Sequence, residues 1–411
     1  MIQGKEPGSS TRKTTKYPAH FLTSQGGTML KTVDFHLKPL PGSGIWTGSD
    51  ESTRMTALKG TSLIGSMRFW TEALLRSFGH RVCDCTAQHE IFDKEKYEKG
   101  QDGTVCAACH TFGCTGLARA FNIHVRAENP KFSEDKKKTF KVTVPGRGVS
   151  YYAFAQGWTE ELTLALSCLR PLTWPCEEHR HQNHVALPPE MLLATFLMLE
   201  YGTLGAMDQY GRGLVDLLNR EDLVPAIENC LKCVKKGSAA PEKGYASLQD
   251  FYYFRGVLDR DALKKLCNCA IALQTTSGER LLASDDSIIR IRRLLRENVR
   301  VSLSHLSRAQ ELRHWICGSL KEPSGSHISI GVSGGMLHGW GWVPRTGIAG
   351  YNIPNWPDER ENILQTVFSC MKKICSRLEW KEFASRREAN APQDWSDYVQ
   401  KMIVSPWRNA S

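Results

Sequence analysis

The sequence has little of what membrane insertion or export requires. None of its apolar runs approaches the roughly 20 residues that span a bilayer. The N-terminal segment MIQGKEPGSSTRKTTKYP is polar and basic, and it lacks the apolar centre of a secretion signal. The 14 cysteines are spread over 411 residues without such a signal. We therefore expect a cytoplasmic protein with no membrane contact, whose thiols are reduced and either buried or bound to metal.

Common nucleotide-binding fingerprints are missing as well. The glycine-rich segment YGTLGAMDQYGRGL lacks the GK[ST] ending of a Walker loop, and no dinucleotide fingerprint precedes a βαβ unit. The aromatic signature with which RNA-recognition motifs stack bases on their sheet is also absent. If the chain binds nucleic acid, it does so by another arrangement of residues.

What the chain does carry is a surplus of positive charge. It has 53 Lys and Arg residues against 43 Asp and Glu, a net charge of +10. Its 41% hydrophobic and 23% charged residues are typical of a soluble globular protein. The length fits two domains. Because net charge governs association rather than fold, the surplus mildly favours a polyanionic partner.

A strand, a long polar loop and a helix form the first recognisable unit. Met29–Lys38 alternates apolar and polar residues, which predicts a strand. The loop that follows is rich in Pro, Gly and Ser and carries Asp50, Glu51 and Arg54. Such loops commonly present backbone to a ligand.

The helix predicted after this loop, Lys59–Arg76, is the segment around which the rest of the chain is arranged. Ser62, or Thr61 next to it, is a candidate N-cap. The unpaired N–H groups and partial positive charge of a helix N-terminus attract phosphate. Gly60 and Gly65 leave room for a ligand beside the first turns. One apolar stripe is predicted at Leu63, Met67, Trp70 and Leu74.

A cysteine cluster follows the helix. Cys106 and Cys109 have the C-x2-C spacing with which two thiolates hold one tetrahedral zinc ion. Four filled positions would make the zinc structural, whereas buried cysteines without metal are the alternative. The predicted zinc ligands are Cys83, Cys106, Cys109 and Cys114, with Cys85, His80, His89 and His110 left open as substitutes.

The order of the predicted elements indicates the fold class. After the first strand and helix come strands at Phe121–Ala127, Phe140–Val144 and Glu160–Leu169, then an apolar helix at Pro188–Tyr201. The glycine-rich segment follows, and its glycines require unusual torsions or close approach to a ligand. Strand, helix, strands, helix and strand give the βαββαβ pattern of a ferredoxin-like (RRM-like) fold, enlarged by insertions.

The second half is predicted to be a degenerate copy. A basic helix at Asp286–Arg300 has arginines that either face solvent or contact RNA or a partner. The segment HISIGVSGGMLHGWGWVPRTG predicts a strand with a second glycine-rich loop at Gly334, Gly335, Gly339, Gly341 and Gly347. A C-terminal helix, Glu359–Arg377, precedes a polar tail. The predicted parts are an arm at 1–27, a first domain at 28–220 with the cysteine insertion at 80–116, and a second domain at 221–411.

Three segments in this order resemble the RAMP superfamily of type III CRISPR–Cas systems. The resemblance is closest to the first-named subunits of the type III-B Cmr effector complexes. The segments are LKPLPGSGIWTGSDESTRMTALKGTSLIGSMRFWTEALL, CAACHTFGCTGLARAFNIHV and YGTLGAMDQYGRGL, which together lie within residues 28–218. Lys59, Gly60, Thr203 and Asp208 depart from the family pattern. The change at Asp208, where arginines are usual, weakens the case that the glycine-rich segment holds phosphate.

The resemblance implies an α+β protein of two tandem ferredoxin-like domains that acts in a prokaryotic cytoplasm. It implies a non-catalytic subunit that caps the complex near the 3′ end of the guide RNA (crRNA) and helps to hold guide and target RNA. Other RAMP subunits would be its protein partners, and sequence choice would come from base pairing. The residues predicted to contact RNA are Arg54, Ser62, Arg68, Trp70, Gly202, Gly205, Gly211 and Arg212.

The alternative function is that of an enzyme. Family subunits that form the backbone of such complexes cut target RNA with an aspartate in the loop after the first strand, and Asp50 lies in that loop. A metal-dependent endoribonuclease using Asp50 is therefore the competing hypothesis. A nuclease that processes guide RNA, with His36 and the His-rich loop CEEHRHQNH as acid–base groups, is a third.

Overall fold

A computed structural model describes most of the chain. The described residues are 31–48, 55, 57–83, 92–98, 105–127, 138–144, 147–153, 157–169, 186–206, 211–240, 244–263, 265, 285–306, 309–318, 326–348, 351–382, 395–405 and 407. The predicted N-terminal arm, Arg54, Asp50, Cys85 and the His-rich loop lie outside them. None of the helices in this part of the chain has the length and apolar character of a bilayer span.

The first half forms one antiparallel sheet with two helices in ferredoxin-like order. Its sheet order is β2-β5-β1-β6, and β3 and β4 form a separate hairpin. The predicted order of strand, helix, strands, helix and strand is therefore confirmed. The elements are β1 (Thr32–Pro39), α1 (Gly60–Ser77), α2 (Lys94–Glu98), α3 (Ala107–Phe112), β2 (Phe121–Arg126), β3 (Lys138–Val144), β4 (Arg147–Ala153), β5 (Leu162–Cys168), α4 (Pro189–Tyr201) and β6 (Val215–Leu217).

The second half repeats this topology. Its sheet order is β10-β7-β9-β8, so first, second, third and fourth strands occupy the same relative places as in the first sheet. Two four-stranded antiparallel sheets of this order are compatible with tandem ferredoxin-like domains. The elements are α5 (Arg220–Cys233), β7 (Phe251–Leu258), α6 (Asp285–Ser302), α7 (Ala309–Cys317), β8 (Ile328–Ser333), β9 (Met336–Trp342), α8 (Trp356–Lys372), β10 (Cys375–Glu382) and α9 (Trp395–Val404).

Helix α1 begins differently from the prediction. Lys59 is the N-cap residue, and no side chain caps the helix. The Ser62 hydroxyl instead donates to the Thr47 carbonyl oxygen at 2.8 Å, so the predicted Ser62 cap is wrong. The predicted apolar stripe is confirmed, because Leu63, Met67, Trp70 and Leu74 are all buried.

The predicted second glycine-rich loop is a β-hairpin. Gly334 and Gly335 form its turn with φ angles of 57° and 84°, the sign that a tight type I′ turn needs. Gly339 and Gly341 lie within β9 rather than in a loop. A Cβ at Gly339 would lie 2.1 Å from the Phe254 ring, so these glycines let large rings from β7 cross the strand.

Three arginines of α6 point into the protein. Arg292, Arg296 and Arg300 are all buried. Arg292 donates to the carbonyl oxygens of Gly42 at 2.6 Å and Val332 at 2.7 Å, and so joins the two halves. Arg296 and Arg300 donate to the Cys317 carbonyl at the end of α7. The expectation that these arginines face solvent, RNA or a partner is therefore wrong for all three.

The larger of two main hydrophobic cores contains residues from both halves of the chain. Phe251 and Tyr253, on one face of β7, pack into the core of the first sheet, whereas Tyr252 and Phe254 on the other face pack into a second core. Because successive side chains of a strand alternate between faces, β7 is buried on both sides. The two sheets therefore share apolar packing rather than standing apart.

The C-terminal segment completes the first core. The helix predicted at Glu359–Arg377 ends at Lys372 and is followed by β10, because the chain returns to pair with β7. The predicted polar tail contains α9, whose apolar face joins the core of the first half. The Tyr201 hydroxyl donates to the Met402 carbonyl at 2.9 Å, and the Trp407 ring stacks on Tyr201 at 5.5 Å between ring centres.

Candidate nucleic-acid interface and cysteine cluster

A groove of about 380 Å³ lies where α1 begins, between the two halves of the protein. One wall is the first turns of α1, a second is the glycine-rich segment, and the third comes from β9 and the start of β8. We call it the interdomain groove. Its lining residues are Ser62, Gly65, Ser66, Phe69, Trp70, Thr203, Gly205, Ala206, Ser326, His327, Trp340 and Trp342.

Hydroxyl groups fix the glycine-rich segment to α1. The Ser66 hydroxyl accepts from the Gly205 N–H at 3.0 Å and lies 2.9 Å from the Gly205 carbonyl. Ala206 donates from its N–H to the Trp46 carbonyl at 2.7 Å, which ties the same segment to the loop after β1. These bonds hold two backbone segments and the start of α1 as one surface.

Gly65 is the open position of this surface. A Cβ at Gly65 would meet no other heavy atom within 4 Å, although the residue lies within a helix. Gly60 behaves differently, because a Cβ there would touch the Ile123 side chain at 3.6 Å. The predicted room beside the first turns of α1 is therefore at Gly65.

Aromatic side chains form the groove's floor and far wall. The Trp70 ring lies 5.2 Å from Phe251 and 5.4 Å from Trp340, measured between ring centres. Only 1% of Trp70 is exposed, so its ring supports the groove from below. The direct contact of Trp70 with RNA stays a prediction. Trp340 and Trp342 were missed by the sequence analysis. The alternation of large residues with glycine in HGWGW nevertheless indicates a strand whose large side chains all lie on one face.

His327 is neutral in this setting. Its ring stacks on Trp315 at 4.0 Å and meets Trp342 edge-on at 4.8 Å. Burial lowers the pKa of His327 to about 4, against a smaller opposing effect of its bond to the Trp315 carbonyl. Because a carbonyl can only accept, Nδ1 carries the proton and Nε2 is left as an acceptor. Near pH 7 the ring therefore offers the groove an aromatic face and an acceptor, without charge.

The glycine-rich segment is shaped by internal packing. A Cβ at Gly202 would lie 2.2 Å from the Trp70 ring. Gly205 and Gly211 have φ angles of 93° and 68°, and a Cβ at either would lie 2.5 Å from a carbonyl oxygen. Only Gly205 of these three lines the groove. Gly202 and Gly211 therefore allow close approach of segments within the protein, and their RNA contact stays a prediction.

The two predicted RNA-contact arginines in the described residues are engaged inside the protein. Arg212 is 3% exposed and its guanidinium lies 3.5 Å from the Gly42 carbonyl. Arg68 donates to Glu72 at 2.7 Å and to the Gly113 carbonyl at 2.9 Å. Its remaining nitrogen lies 3.2 Å from the Cys109 sulfur. Arg68 thus attaches the cysteine insertion to α1, and the RNA contacts of Arg68 and Arg212 stay predictions.

Three of the four predicted zinc ligands come together. The sulfur atoms of Cys83, Cys106 and Cys109 all lie within 4.8 Å of one another. Cys83 is 3.2 Å from each of the other two. Cys114 packs against this group, but its sulfur is not part of it, because the chain folds back in a short turn between Cys114 and Leu117. Among the described residues the set is therefore three thiols, and the prediction for Cys114 is corrected.

The thiols share protons unequally. Hydrogen bonds from Cys109 and then Cys83 lower the pKa of Cys106, and the bond with Cys106 raises the pKa of Cys83 to about 11. The bonds among the three sulfurs therefore favour ionisation of Cys106 over that of Cys83. A zinc ion with Zn–S bonds of about 2.3 Å places its sulfur ligands roughly 3.8 Å apart, so the two distances from the Cys83 sulfur need to lengthen by only about 0.6 Å. The donor set fits such an ion.

Comparison with known proteins bears on the same half of the chain. Residues 43–216 match the family model described as RAMP superfamily. No curated protein sequence matches the chain significantly. Among solved structures, the apo crystal structure of Cmr1 from Pyrococcus furiosus is similar at 13% identity and a TM-score of 0.37. The aligned region covers 85% of this chain and 98% of that one.

A second similar structure is a cryo-EM structure of the type III-B Cmr-beta bound to cognate target RNA and AMPPnP in the presence of ssDNA. Its chain is 11% identical with a TM-score of 0.35, and the alignment covers 83% of this chain and 99% of that one. The matched residues 43–216 contain α1, the cysteine cluster and the glycine-rich segment. Residues 43–216 of this chain therefore carry the sequence pattern of the RAMP superfamily.

Proposed function

We propose that this protein is a non-catalytic, RNA-binding RAMP subunit of a type III-B CRISPR effector complex. In this role it caps the complex near the 3′ end of the guide RNA and helps to hold guide and target. The RAMP-superfamily match and the three family-like segments support the assignment. The observation that carries it is the interdomain groove, which is built from two of those segments and faces outward at Gly65.

The chemistry of the groove suits a nucleotide in an extended or splayed RNA. Ser62, Ser66 and Ser326 bring hydroxyl oxygens that can pair with the 2′-OH of a ribose. The edges of Trp340 and Trp342 offer apolar contact to a base. The described residues that line the groove include no Lys or Arg, and the positive end of α1 supplies the attraction for phosphate. Such a site reads backbone and shape, so base pairing with the guide selects the target.

Substitutions at one exposed position, Gly65, test this proposal. Replacing Gly65 by Glu places a bulky anion in the groove without touching its walls, because a Cβ there meets nothing within 4 Å. We expect the amount of RNA that copurifies with the assembled complex, or that binds in a filter assay, to fall at least about tenfold. The negative charge repels phosphate and the side chain excludes RNA from the groove, and both effects oppose binding. Gly65→Gln separates bulk from charge, and Gly65→Ala is the matched control that should bind normally.

Two results would contradict the groove as the RNA site. One is unchanged RNA retention by Gly65→Glu in a complex that assembles with its usual subunits. The other is an equal loss in Gly65→Ala, since a methyl group fills almost none of the 380 Å³. Arg68 and Trp70 are poorer choices for this test, because both hold the fold together.

A structural zinc ion is the proposed cofactor. Cys83, Cys106 and Cys109 would hold it, and Cys85, outside the described residues, is a candidate for the fourth position. When bound, the ion supplies a crosslink between the end of α1 and the start of α3. Arg68 balances the negative charge of the thiolates from the α1 side.

The absence of catalysis is part of this proposal. In a complete complex, replacing Asp50 by Ala should leave target-RNA cleavage unchanged, within about twofold, because the cutting groups would lie in other subunits. Cleavage measured by gel with labelled target RNA checks this. Loss of cleavage in Asp50→Ala, with RNA retention intact, would favour the metal-dependent endoribonuclease instead.

A further inference from the structure

A second pocket lies at the other end of α1, away from the interdomain groove. Its volume is about 330 Å³, enough for one nucleotide. Arg76, in the last turn of α1, lines it together with Tyr245, Ser247, Asp250, Arg345 and Thr346. Because Arg76 follows Gly65 by 11 residues, the two sites are about 16 Å apart along the helix. We call it the Tyr245 pocket.

Two guanidinium groups give this pocket its charge. Arg345 is fixed by Asp250, which accepts from its backbone N–H at 3.0 Å and from its Nε at 3.2 Å. The second carboxylate oxygen of Asp250 accepts from the Ser247 N–H at 3.3 Å. Asp250 is 5% exposed, so its role is to orient Arg345 from behind. One terminal nitrogen of Arg345 donates to the Gln249 amide oxygen, and the side chain remains about a third exposed at the pocket rim.

Arg76 has unused hydrogen-bonding capacity. Its side chain is only 9% exposed, and its Nε is buried without a partner among the described residues. One terminal nitrogen donates to the Ala246 carbonyl at 3.2 Å, and the other lies 3.7 Å from Glu72. A buried N–H without an acceptor costs free energy that an anionic ligand would recover.

An aromatic ring stands beside the charges. Tyr245 is 44% exposed, and the Arg76 guanidinium lies 5.0 Å from its ring centre. The carbonyls that end α1 are already bonded, including that of Ser77 to the Gln249 amide at 3.0 Å. An anion near this helix end therefore does not face unpaired carbonyl oxygens.

We propose that the Tyr245 pocket binds a terminal nucleotide phosphate. The phosphate monoester lies between Arg76 and Arg345, where planar guanidinium groups match its oxygens, and the base lies against Tyr245. The same chemistry belongs to a free mononucleotide and to the phosphorylated end of an RNA. The site is independent of the groove, because it shares no lining residue with it.

Calorimetric titration of the full chain with AMP and with adenosine tests the proposal. We expect AMP to bind at least about tenfold more tightly than adenosine, the difference that charge-assisted bonds provide. Arg345→Lys, which keeps Asp250 paired but loses the planar fork, should weaken AMP binding by about tenfold. Tyr245→Ala should weaken it similarly, and Tyr245→Phe should keep it. Arg377→Ala, a change at an 80% exposed arginine elsewhere, is the control.

Comparison of 5′-phosphorylated and 5′-hydroxyl RNA hexamers distinguishes the two sources. Preference for the phosphorylated hexamer indicates an RNA end, whereas preference confined to AMP indicates a free nucleotide. Equal binding of AMP and adenosine, absence of AMP binding, or equal affinity in all variants would overturn the proposal. Gly65→Glu should leave AMP binding unchanged, so failure of the groove and failure of this pocket give different results.

Discussion

Replacing Cys109 by Ser should remove the proposed zinc ion and lower stability by several kcal/mol. Its sulfur is fully buried and contacts both Cys83 and the Arg68 guanidinium. Structural zinc contributes about 10–16 kcal/mol of binding free energy in zinc-finger peptides, so a larger domain should lose a substantial fraction of that. Elemental analysis should give about one zinc per chain for the wild type and almost none for Cys109→Ser.

The matched control is Cys230→Ala. Cys230 is also a buried cysteine, but it lies in α5 and is not part of the thiol group. Its replacement should leave zinc content unchanged and cost about 1 kcal/mol or less, as the loss of one small buried group does. If neither wild type nor Cys230→Ala contains zinc, and Cys109→Ser unfolds at the same denaturant concentration as Cys230→Ala, the cysteines are structural thiols without metal.

Two glycine-to-alanine changes should have opposite effects on stability. A Cβ at Gly202 would lie 2.2 Å from the Trp70 ring, which packs against Phe251 and Trp340. Overpacking of this kind costs about 1–3 kcal/mol. Gly65→Ala meets no neighbour and removes helix-interior glycine, which should stabilise by about 0.5–1 kcal/mol. Urea unfolding of the two variants measures the difference.

The same pair links packing to RNA binding. Because Trp70 is the floor of the interdomain groove, Gly202→Ala should also weaken RNA retention, whereas Gly65→Ala should not. Equal stability of Gly202→Ala and wild type would mean that the Trp70 ring moves freely. The ring would then be no fixed support for the groove, and the geometric basis of the proposed RNA site would fail.

The strongest sequence predictions concerned periodic segments. The stripe from Leu63 to Leu74 repeats at helical spacing, and the structure buries it as expected. The strand beginning near Met29 alternates, and β1 buries Val33, Phe35 and Leu37 on one face. Such patterns are local consequences of which face meets the core, so they can be recognised without knowing the partner.

The errors concerned side chains whose partners are distant in sequence. Arg292 meets a carbonyl 250 residues away, and Gly211 approaches the backbone of β8. An arginine on a helix or a glycine in a loop has the same local appearance whether it faces RNA or another strand. Two walls of the interdomain groove, α1 and the glycine-rich segment, can therefore be predicted, because both carry sequence motifs. The tryptophan wall comes from the second half and cannot be predicted in this way.

The docking of the C-terminal segment has a consequence for synthesis of the protein. Trp407 stacks on Tyr201, and the Arg220 guanidinium donates to the Ile403 carbonyl. During translation, the amino-terminal half leaves the ribosome long before the residues that close its core exist. Domains usually fold in the order of their synthesis. Here the core of the amino-terminal half stays incomplete until α9 and Trp407 have been synthesised, so its final folding depends on a segment made about 200 residues later.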